Sequence, residues 1–451
     1  MKRVAVITFG CKVNQYESAC ILNDFCIEGY ETVPFSQEAD VYIINTCTVT
    51  GRTDYKSRNA IRHALEQKKR NPKIKIIVTG CYAQLNRDRI NEMGEIDLII
   101  DNNQKDMIYN FLEEKNDQFV ADPLLFDDFT EQKTNKLFER ARAFVKIQDG
   151  CDYYCAYCIV PFARGKPRSR SPENVLKQIR HLADNGYKEF VLTGINLGLY
   201  GRDLPEGDQT LTSSSSEVAT GKYFLRLTSI LKEIEKINKV QRIRLSSIEP
   251  QLITRSLLEY IRKSTKLCPH LHIPLQSGSD ILLKKMNRPY STKEFHELIN
   301  EIKSLIPDVA LGSDVILGLP GETESLFQET LSFVEKLPLV YLHIFPYSRR
   351  PGTKAAEMTH IPTSLVVKKR CQELAALMKQ KRQRYIKDLL RHKTILGGVL
   401  EHKKENYWTA LSDHYIRIYY QNEKARKSDL IFAQAFRELY DGIEVVDNDR
   451  V

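Results

Sequence analysis

The chain has 451 residues, and its 67 Lys and Arg against 58 Asp and Glu leave a formal charge of +9, which fits a polyanionic partner. This length exceeds one ordinary hydrophobic core, so we expect two or three domains, and because no apolar run approaches about 20 residues we expect no membrane attachment. The ten cysteines are too few for a disulfide scaffold and suit metal ligation in a reducing compartment, so a cytoplasmic protein without a signal peptide is expected.

Residues 2 to about 101 alternate apolar strands and polar helices, a pattern that predicts a parallel α/β domain within residues 1–125. Its predicted strands are 4–8, 41–45, 74–79 and 98–100. Cys11, Cys47 and Cys81 each follow within a few residues of one of the first three strands. Because the carboxyl ends of parallel strands share one edge, these thiols should converge. Three equivalent placements favour a metal cluster with an open iron over three ordinary buried thiols.

An acidic linker at 122–131 leads into a second predicted domain, residues 140–380. Its predicted strands, each but the last clearly followed by helical sequence, are 143–147, 189–193, 242–246, 270–274, 311–317 and 341–345. Six such units imply a partial (β/α)6 barrel, in which chemistry lies at the carboxyl ends of the strands. The segment 206–222 reads as a low-complexity insertion without a catalytic role.

Cys151, Cys155 and Cys158 form a C-x3-C-x2-C triplet shortly after the first barrel strand. Three thiolates on one short loop can hold three irons of a [4Fe-4S] cluster and leave the fourth iron open. The cysteine loop of a ferredoxin includes a fourth cysteine, and a structural zinc site has four ligands. The sequence near this triplet supplies no fourth ligand for either kind of site. The spacing therefore predicts a reactive cluster.

Four basic residues directly follow this loop. Arg164, Lys166, Arg168 and Arg170 form a predicted basic patch beside the reaction centre. We favour docking of an RNA phosphate backbone over a merely solvated loop.

The last part of the chain changes pattern twice. Residues 363 to about 392 read as a long basic helix, and short strands follow at 395–400, 407–411, 415–419 and 431–437. These strands predict a small β-barrel within residues 384–451. Barrels of this kind often bind nucleic acid, although fold alone does not establish it.

The cysteine triplet resembles that of the radical S-adenosylmethionine (SAM) superfamily, in which SAM chelates the open iron and yields a 5'-deoxyadenosyl radical. The resemblance implies SAM contacts by Tyr157, Thr193, Gly194, Ser246, Glu249, Gln276, Asp314 and Gly318. For Gly318, a simple role in a strand-to-helix turn remains equally open. No catalytic residue is predicted beyond the cluster ligands.

The order of the three domains, together with five local motifs, resembles the methylthiotransferase family, on its tRNA threonylcarbamoyladenosine branch. This resemblance implies that the C-terminal barrel is TRAM-like. The motifs are TFGCKVNQYES at 8–18, INTCTVT at 44–50, CIVPFARG at 158–165, TGINLG at 193–198 and RLSSIEP at 244–250. The resemblance implies 2-methylthiolation of N6-threonylcarbamoyladenosine next to the tRNA anticodon. It also implies two [4Fe-4S] clusters, the auxiliary one on Cys11, Cys47 and Cys81, and an electron donor such as flavodoxin or ferredoxin. A monomer is expected.

Two alternatives remain open. The first is a methylthiotransferase that acts on another modified adenosine or on a ribosomal protein, against which the motifs at 11–18 and 244–250 argue. The second is a non-catalytic iron-sulfur protein that binds RNA through its C-terminal barrel. The second alternative predicts no cleavage of SAM.

Overall fold

The computed structural model describes residues 1–114, 121–137, 140–204 and 224–447, so the predicted insertion at 206–222 lies outside the described residues. The architecture is α/β, with parallel sheets followed by a small β-barrel, as the sequence predicted. Within the described ranges, no helix combines the length and apolar character needed to span a bilayer.

The N-terminal unit is a parallel five-stranded sheet flanked by helices. Its strands are β1 Arg3–Thr8, β2 Glu31–Thr32, β3 Val41–Thr46, β4 Lys75–Gly80 and β5 Leu98–Ile100, and its helices are α1 Lys12–Ile27, α2 Gly51–Arg70, α3 Cys81–Leu85, α4 Arg87–Asn91 and α5 Ile108–Glu114. The strand order is β2-β1-β3-β4-β5. All of β3 is buried, as expected for a central strand covered on both faces. The sequence missed β2 because two edge residues show no periodicity.

Six parallel strands build the second unit, and a short antiparallel pair borders the cysteine loop. The strands are β6 Ala143–Lys146, β7 Gln148–Asp149, β8 Arg168–Ser169, β9 Glu189–Thr193, β10 Arg242–Leu245, β11 His270–His272, β12 Ala310–Leu317 and β13 Leu339–Pro346. Two three-stranded sheets, β10-β9-β6 and β11-β12-β13, meet through a parallel bridge between Ile243 and Leu267. The predicted partial barrel is confirmed, with each of its six strands within two residues of its predicted bounds.

Helices cover the outside of these strands. They are α6 Val160–Arg164, α7 Pro172–Asp184, α8 Phe224–Glu235, α9 Arg255–Lys263, α10 Asp280–Lys285, α11 Thr292–Leu305, α12 Glu324–Lys336 and α13 Lys354–Glu357. Side chains alternate along β10, so that Ile243 and Leu245 join the hydrophobic core. Arg242 and Arg244 point the other way and pair with Glu189. The interior of the barrel is therefore polar.

The C-terminal unit is a closed barrel at the end of one long helix, α14 Ser364–Arg391. Its strands are β14 Ile395–Lys404, β15 Tyr407–Leu411, β16 Arg417–Tyr420, β17 Leu430–Leu439 and β18 Gly442–Val446, in the order β14-β15-β16-β18-β17. Helix α14 runs through the predicted domain boundary at 380–384. The guanidinium of Arg244 donates to the carbonyl of Ser412 at 2.8 Å, which attaches this unit to the polar interior of the central barrel.

Candidate active site

The loop that carries Cys151, Cys155 and Cys158 is tightly closed. Gly150 precedes it with φ +72°, and a Cβ there would lie 1.9 Å from the carbonyl oxygen of Lys166, so only glycine fits. The backbone N–H of Cys151 donates to Gly165 at 3.0 Å, and that of Cys158 donates to Cys155 at 2.9 Å. These bonds hold the three thiols on one compact turn between β7 and α6.

The thiols of this loop fit a cluster better than a single metal ion. Among the described residues, only His272, Asp314 and His343 bring three ligand atoms within 4.8 Å of one another. One zinc ion with Zn–S bonds of about 2.3 Å would hold its thiolates roughly 3.8 Å apart. Neither cysteine triplet is that compact. Three thiolates can each bind a different iron of one iron-sulfur cluster, so the donor set is compatible with such a cluster.

The structure brings Cys11, Cys47 and Cys81 to the carboxyl edge of the N-terminal sheet. Cys11 immediately precedes α1, Cys47 follows β3, and Cys81 begins α3. The Sγ of Cys47 lies 2.8 Å from where a Cβ on Gly10 would sit. Burial and the nearby Cys81 and Cys11 thiolates raise the pKa of Cys47 to about 12. Thiolates this close together repel one another, so the three cysteines bind together as thiolates only when a metal cation offsets their charge.

Helix α6 connects the two cysteine triplets. It begins two residues after Cys158 and is about 7.5 Å long at 1.5 Å per residue. At its far end, Nε of Arg164 donates to Sγ of Cys81 at 3.4 Å. The amide of Asn102 donates to the carbonyl of Ala163 at 2.8 Å and fixes the helix to the N-terminal sheet. The two triplets therefore lie at opposite ends of one short helix.

A cavity of about 250 Å³ opens between the N-terminal unit and the barrel. Val49 and Thr50, just after Cys47, line one side. Tyr157, Cys158, Gln276 and Asp314 line the other side, together with Phe345 and Tyr347 of the last barrel strand and its following loop. Residues near both triplets thus face one cavity, large enough for part of a nucleoside.

Several residues predicted to contact SAM lie at the carboxyl ends of barrel strands. Thr193 ends β9, and Gly194 follows it with no room for a side chain, since a Cβ would lie 2.7 Å from Oε1 of Gln148. Ser246 follows β10. In the described part of the chain, the Ser246 hydroxyl and both side-chain amide atoms of Asn196 are buried without a hydrogen-bond partner. Buried polar atoms need partners, so these positions fit a polar ligand.

Asp314 is held between two histidines. His272 Nε2 and His343 Nδ1 each lie 3.0 Å from one of its oxygens. Burial alone would raise the pKa of Asp314, but hydrogen bonds from the two histidines outweigh it and hold the pKa below its usual range. Gln276, with φ +69°, faces the same cavity. The carboxylate of Asp314 is therefore ionised and oriented.

Arg288 is a site residue that the sequence did not reveal. Its Nη1 donates to Sγ of Cys155 at 3.1 Å, and its Nη2 pairs with the carboxylate of Glu249. Nη1 also lies 3.5 Å from the hydroxyl of Tyr157. Donors to ligand sulfurs tune the potential of a cluster. No motif spacing connects residue 288 to the cysteine loop, so only the fold could identify this contact.

Gly318 is not among the residues that line the cavity of Gln276 and Asp314, and its predicted contact with SAM stays a prediction. Its N–H donates to both carboxylate oxygens of Glu322 at 3.1 Å, and it borders a different cavity, of about 590 Å³, beside Val367 of α14. Its φ of +83° explains the glycine. The alternative interpretation, a strand-to-helix turn, fits the structure.

The predicted basic patch for RNA is wrong for its three arginines. Arg164, Arg168 and Arg170 are 1%, 2% and 0% exposed. Arg164 pairs with Glu17 of α1 at 2.9 Å, because the N-terminal unit packs over this segment. The side chain of Lys166 is 61% exposed and remains at the surface. A single accessible lysine does not make an electropositive patch.

Comparisons with known proteins agree with this arrangement. Residues 145–334 match a family described as the Radical SAM superfamily, and residues 3–101 match one described as uncharacterized protein family UPF0004. A "Threonylcarbamoyladenosine tRNA methylthiotransferase MtaB" of Bacillus subtilis (strain 168) is 38% identical over 93% of this chain and 91% of its own length. Its counterpart of the same description in Aquifex aeolicus (strain VF5) is 39% identical over 85% and 89%.

A second group of relatives has a different description. The "tRNA-2-methylthio-N(6)-dimethylallyladenosine synthase" of Pelotomaculum thermopropionicum is 35% identical over 84% of this chain and 82% of its own length. Among solved structures, the radical S-adenosylmethionine methyltransferase TsrM from Kitasatospora setae aligns with a TM-score of 0.55 at 13% identity, covering 79% of this chain and 77% of that one. At that identity the likeness shows the fold alone.

Proposed function

The chain belongs to the radical SAM methylthiotransferases, on the threonylcarbamoyladenosine branch, and on that premise we propose that it converts N6-threonylcarbamoyladenosine in tRNA to its 2-methylthio derivative. The observation that carries this proposal is the placement of the two cysteine triplets at the two ends of α6, with residues near both facing one cavity. Removing hydrogen from a carbon and adding sulfur to it require two reactive centres around one substrate atom. One radical cluster alone would not explain the second triplet.

The family implies a [4Fe-4S] cluster and SAM, which together supply an adenosyl radical able to take a hydrogen atom from an unactivated carbon. Cys151, Cys155 and Cys158 would hold that cluster, and Arg288 would donate to the Cys155 ligand. The unpaired polar atoms of Ser246 and Asn196 would receive polar groups of SAM. We propose a second cluster on Cys11, Cys47 and Cys81, whose convergence supports this assignment.

The C-terminal barrel carries another candidate surface for binding tRNA, in place of the incorrect basic patch. Lys403 and Lys404 end β14, where Lys403 Nζ lies 5.2 Å from the ring centre of Trp408 and Lys404 Nζ lies 3.9 Å from that of Tyr440. Tyr440 is about half exposed. Cations beside accessible aromatic rings suit both phosphates and unstacked bases. We call Lys403, Lys404, Trp408 and Tyr440 the basic–aromatic surface and propose that it contacts tRNA.

Reversing both charges of this surface, in Lys403→Glu with Lys404→Glu, should weaken tRNA binding. Each lost phosphate contact should also reduce the slope of log affinity against log salt by about 0.9. Fluorescence anisotropy with labelled tRNA at several salt concentrations measures both quantities. The matched control is Lys177→Glu, because Lys177 is an exposed lysine on α7. If the double variant and the control kept the wild-type slope alike, the basic–aromatic surface would not bind tRNA.

The substrate assignment is tested by mass spectrometry of nucleosides from tRNA of cells with and without this gene. We expect the 2-methylthio derivative of threonylcarbamoyladenosine to disappear on deletion and to return on complementation. Its persistence would refute the assignment. Disappearance of a 2-methylthio dimethylallyl nucleoside instead would move the protein to the other branch of the family.

A further inference from the structure

A short segment after the last barrel strand contacts both cysteine loops. We call residues 347–355 the bridging segment, which follows β13 and leads into α13. At its end, the backbone N–H of Ala355 donates to the carbonyl of Ala156 at 2.7 Å. Ala156 lies between Cys155 and Cys158 of the barrel triplet. The bridging segment is therefore bonded directly to the loop that would hold the cluster for SAM.

Arg350 connects the bridging segment to the N-terminal cysteine triplet. Its Nη1 donates to the carbonyl of Thr48, the residue directly after Cys47, at 3.2 Å. The same nitrogen pairs at 2.6 Å with the carboxylate of Asp54, in the first turn of α2. Asp54 also accepts from the hydroxyl of Thr48 at 2.7 Å. Arg350 is only 9% exposed, so it forms a largely buried ion pair between the two units.

Both sides of this contact form walls of the cavity between the units. The lining residues at this point are Val49, Thr50, Tyr347 and Ser348. The hydroxyl of Ser348 accepts from the N–H of Gly51, at the start of α2, at 2.9 Å. Walls that belong to two units keep their spacing only while the units stay docked. The pair between Arg350 and Asp54 therefore fixes the width of the cavity beside Cys47.

We propose that Arg350 is a positioning residue that keeps the Cys47 loop docked against the barrel and thereby couples sulfur transfer to the cleavage of SAM. The inference rests on the proposed function and deepens it. The predicted SAM contacts lie on the barrel, so the cleavage of SAM does not depend on where the Cys47 loop sits. Sulfur transfer does depend on it, because a misplacement of about 1 Å between reactants can cost about 100-fold in rate.

The test compares Arg350→Met with Lys68→Met in the full-length, reconstituted protein. Lys68 is a buried cation near the far end of α2, and its partner Asp97, at 2.7 Å, belongs to the same unit. We expect Arg350→Met to cleave SAM at near the wild-type rate and to form about 10- to 100-fold less methylthio product per 5'-deoxyadenosine. Lys68→Met should keep the wild-type ratio. Arg350→Lys should restore part of the ratio, since it keeps the charge but loses the planar fork.

Hydrogen exchange of the iron-free protein gives a second readout. The amide of Gly51 should exchange about 10-fold faster in Arg350→Met than in wild type, because the loss of a charged hydrogen bond lowers the local stability of this loop. Exchange elsewhere in the chain should keep its wild-type rates. Asp54→Asn, which removes the partner on α2, should reproduce both the faster exchange and the lower product ratio.

Three results would overturn the positioning role while the proposed function stood. They are an unchanged product ratio in Arg350→Met, an equal loss of SAM cleavage and sulfur transfer, and faster exchange throughout the chain, which would indicate a merely structural role. If the wild-type protein cleaved SAM but transferred no sulfur to anticodon stem-loops with threonylcarbamoyladenosine, the proposed function would fall and this inference with it.

Discussion

Glu17→Gln should lower the free energy of unfolding by about 3–5 kcal/mol, the range for removing one partner from a buried ion pair. Glu17 is completely buried on α1. Its carboxylate accepts from Lys105 and Arg164 and, at 2.8 Å, from Lys146. These cations come from the end of the N-terminal unit, from β6 and from α6. The substitution leaves three buried cations around a neutral amide, where the two units meet.

Chemical denaturation followed by circular dichroism measures this loss. Glu66→Gln on α2 is the matched control, because Glu66 is exposed and should change stability by less than about 0.5 kcal/mol. If Glu17→Gln were no more destabilising than the control, the buried network would contribute nothing to the joining of the two units.

The same network predicts a dependence on pH. Burial by itself would raise the pKa of Glu17, but Arg164, Lys105 and Lys146 outweigh it and hold the pKa well below its usual range. The pKa of Asp149 is lowered in the same way, by Arg164 and Lys146 against its burial. A lowered pKa adds stability that is complete above the unfolded value of about 4 and is lost as the pH falls below it. Wild type should therefore lose stability more steeply below pH 4 than Glu17→Gln, as measured by denaturation at a series of pH values.

Local pattern explains what the sequence could predict. The six barrel strands and four strands of the N-terminal sheet were predicted because apolar periodicity and turn residues act over a few neighbours. Because the carboxyl ends of parallel strands share one edge of a sheet, the convergence of Cys11, Cys47 and Cys81 could also be predicted without any knowledge of side-chain packing. Strand β2 was missed because its two residues contact only one edge of the sheet.

Burial of charge explains what the sequence could not predict. Arg164 reads as a surface cation until Glu17, 147 residues away, is packed against it. Arg288 lies 133 residues from Cys155, whose sulfur it contacts. Charged residues are rarely buried unless they are paired, and pairing over such separations is decided by the docking of whole units. Sequence reasoning therefore located the cysteines and misassigned the arginines beside them.

Replacing one cysteine of each triplet in turn should separate the cleavage of SAM from the transfer of sulfur to tRNA. Cys158→Ala should abolish the formation of 5'-deoxyadenosine from SAM, because the barrel triplet would hold the cluster that lies beside the predicted SAM contacts. Cys47→Ala should retain that cleavage while losing all sulfur transfer to tRNA, because the proposed second cluster would be missing. Each variant should hold about half of the wild-type iron after anaerobic reconstitution. Chromatography of 5'-deoxyadenosine and mass spectrometry of the nucleoside give the two readouts.

Cys26→Ala is the control for this pair, since Cys26 lies near the last residue of α1, at the opposite end of the helix from Cys11. It should match wild type in iron content and in both products. Arg164 of α6 contacts Cys81 directly, so the two cysteine triplets lie close together but belong to different units. If Cys47→Ala kept its full iron content, or if it still transferred sulfur, the first triplet would hold no cluster and the methylthiolation scheme would need another source of sulfur.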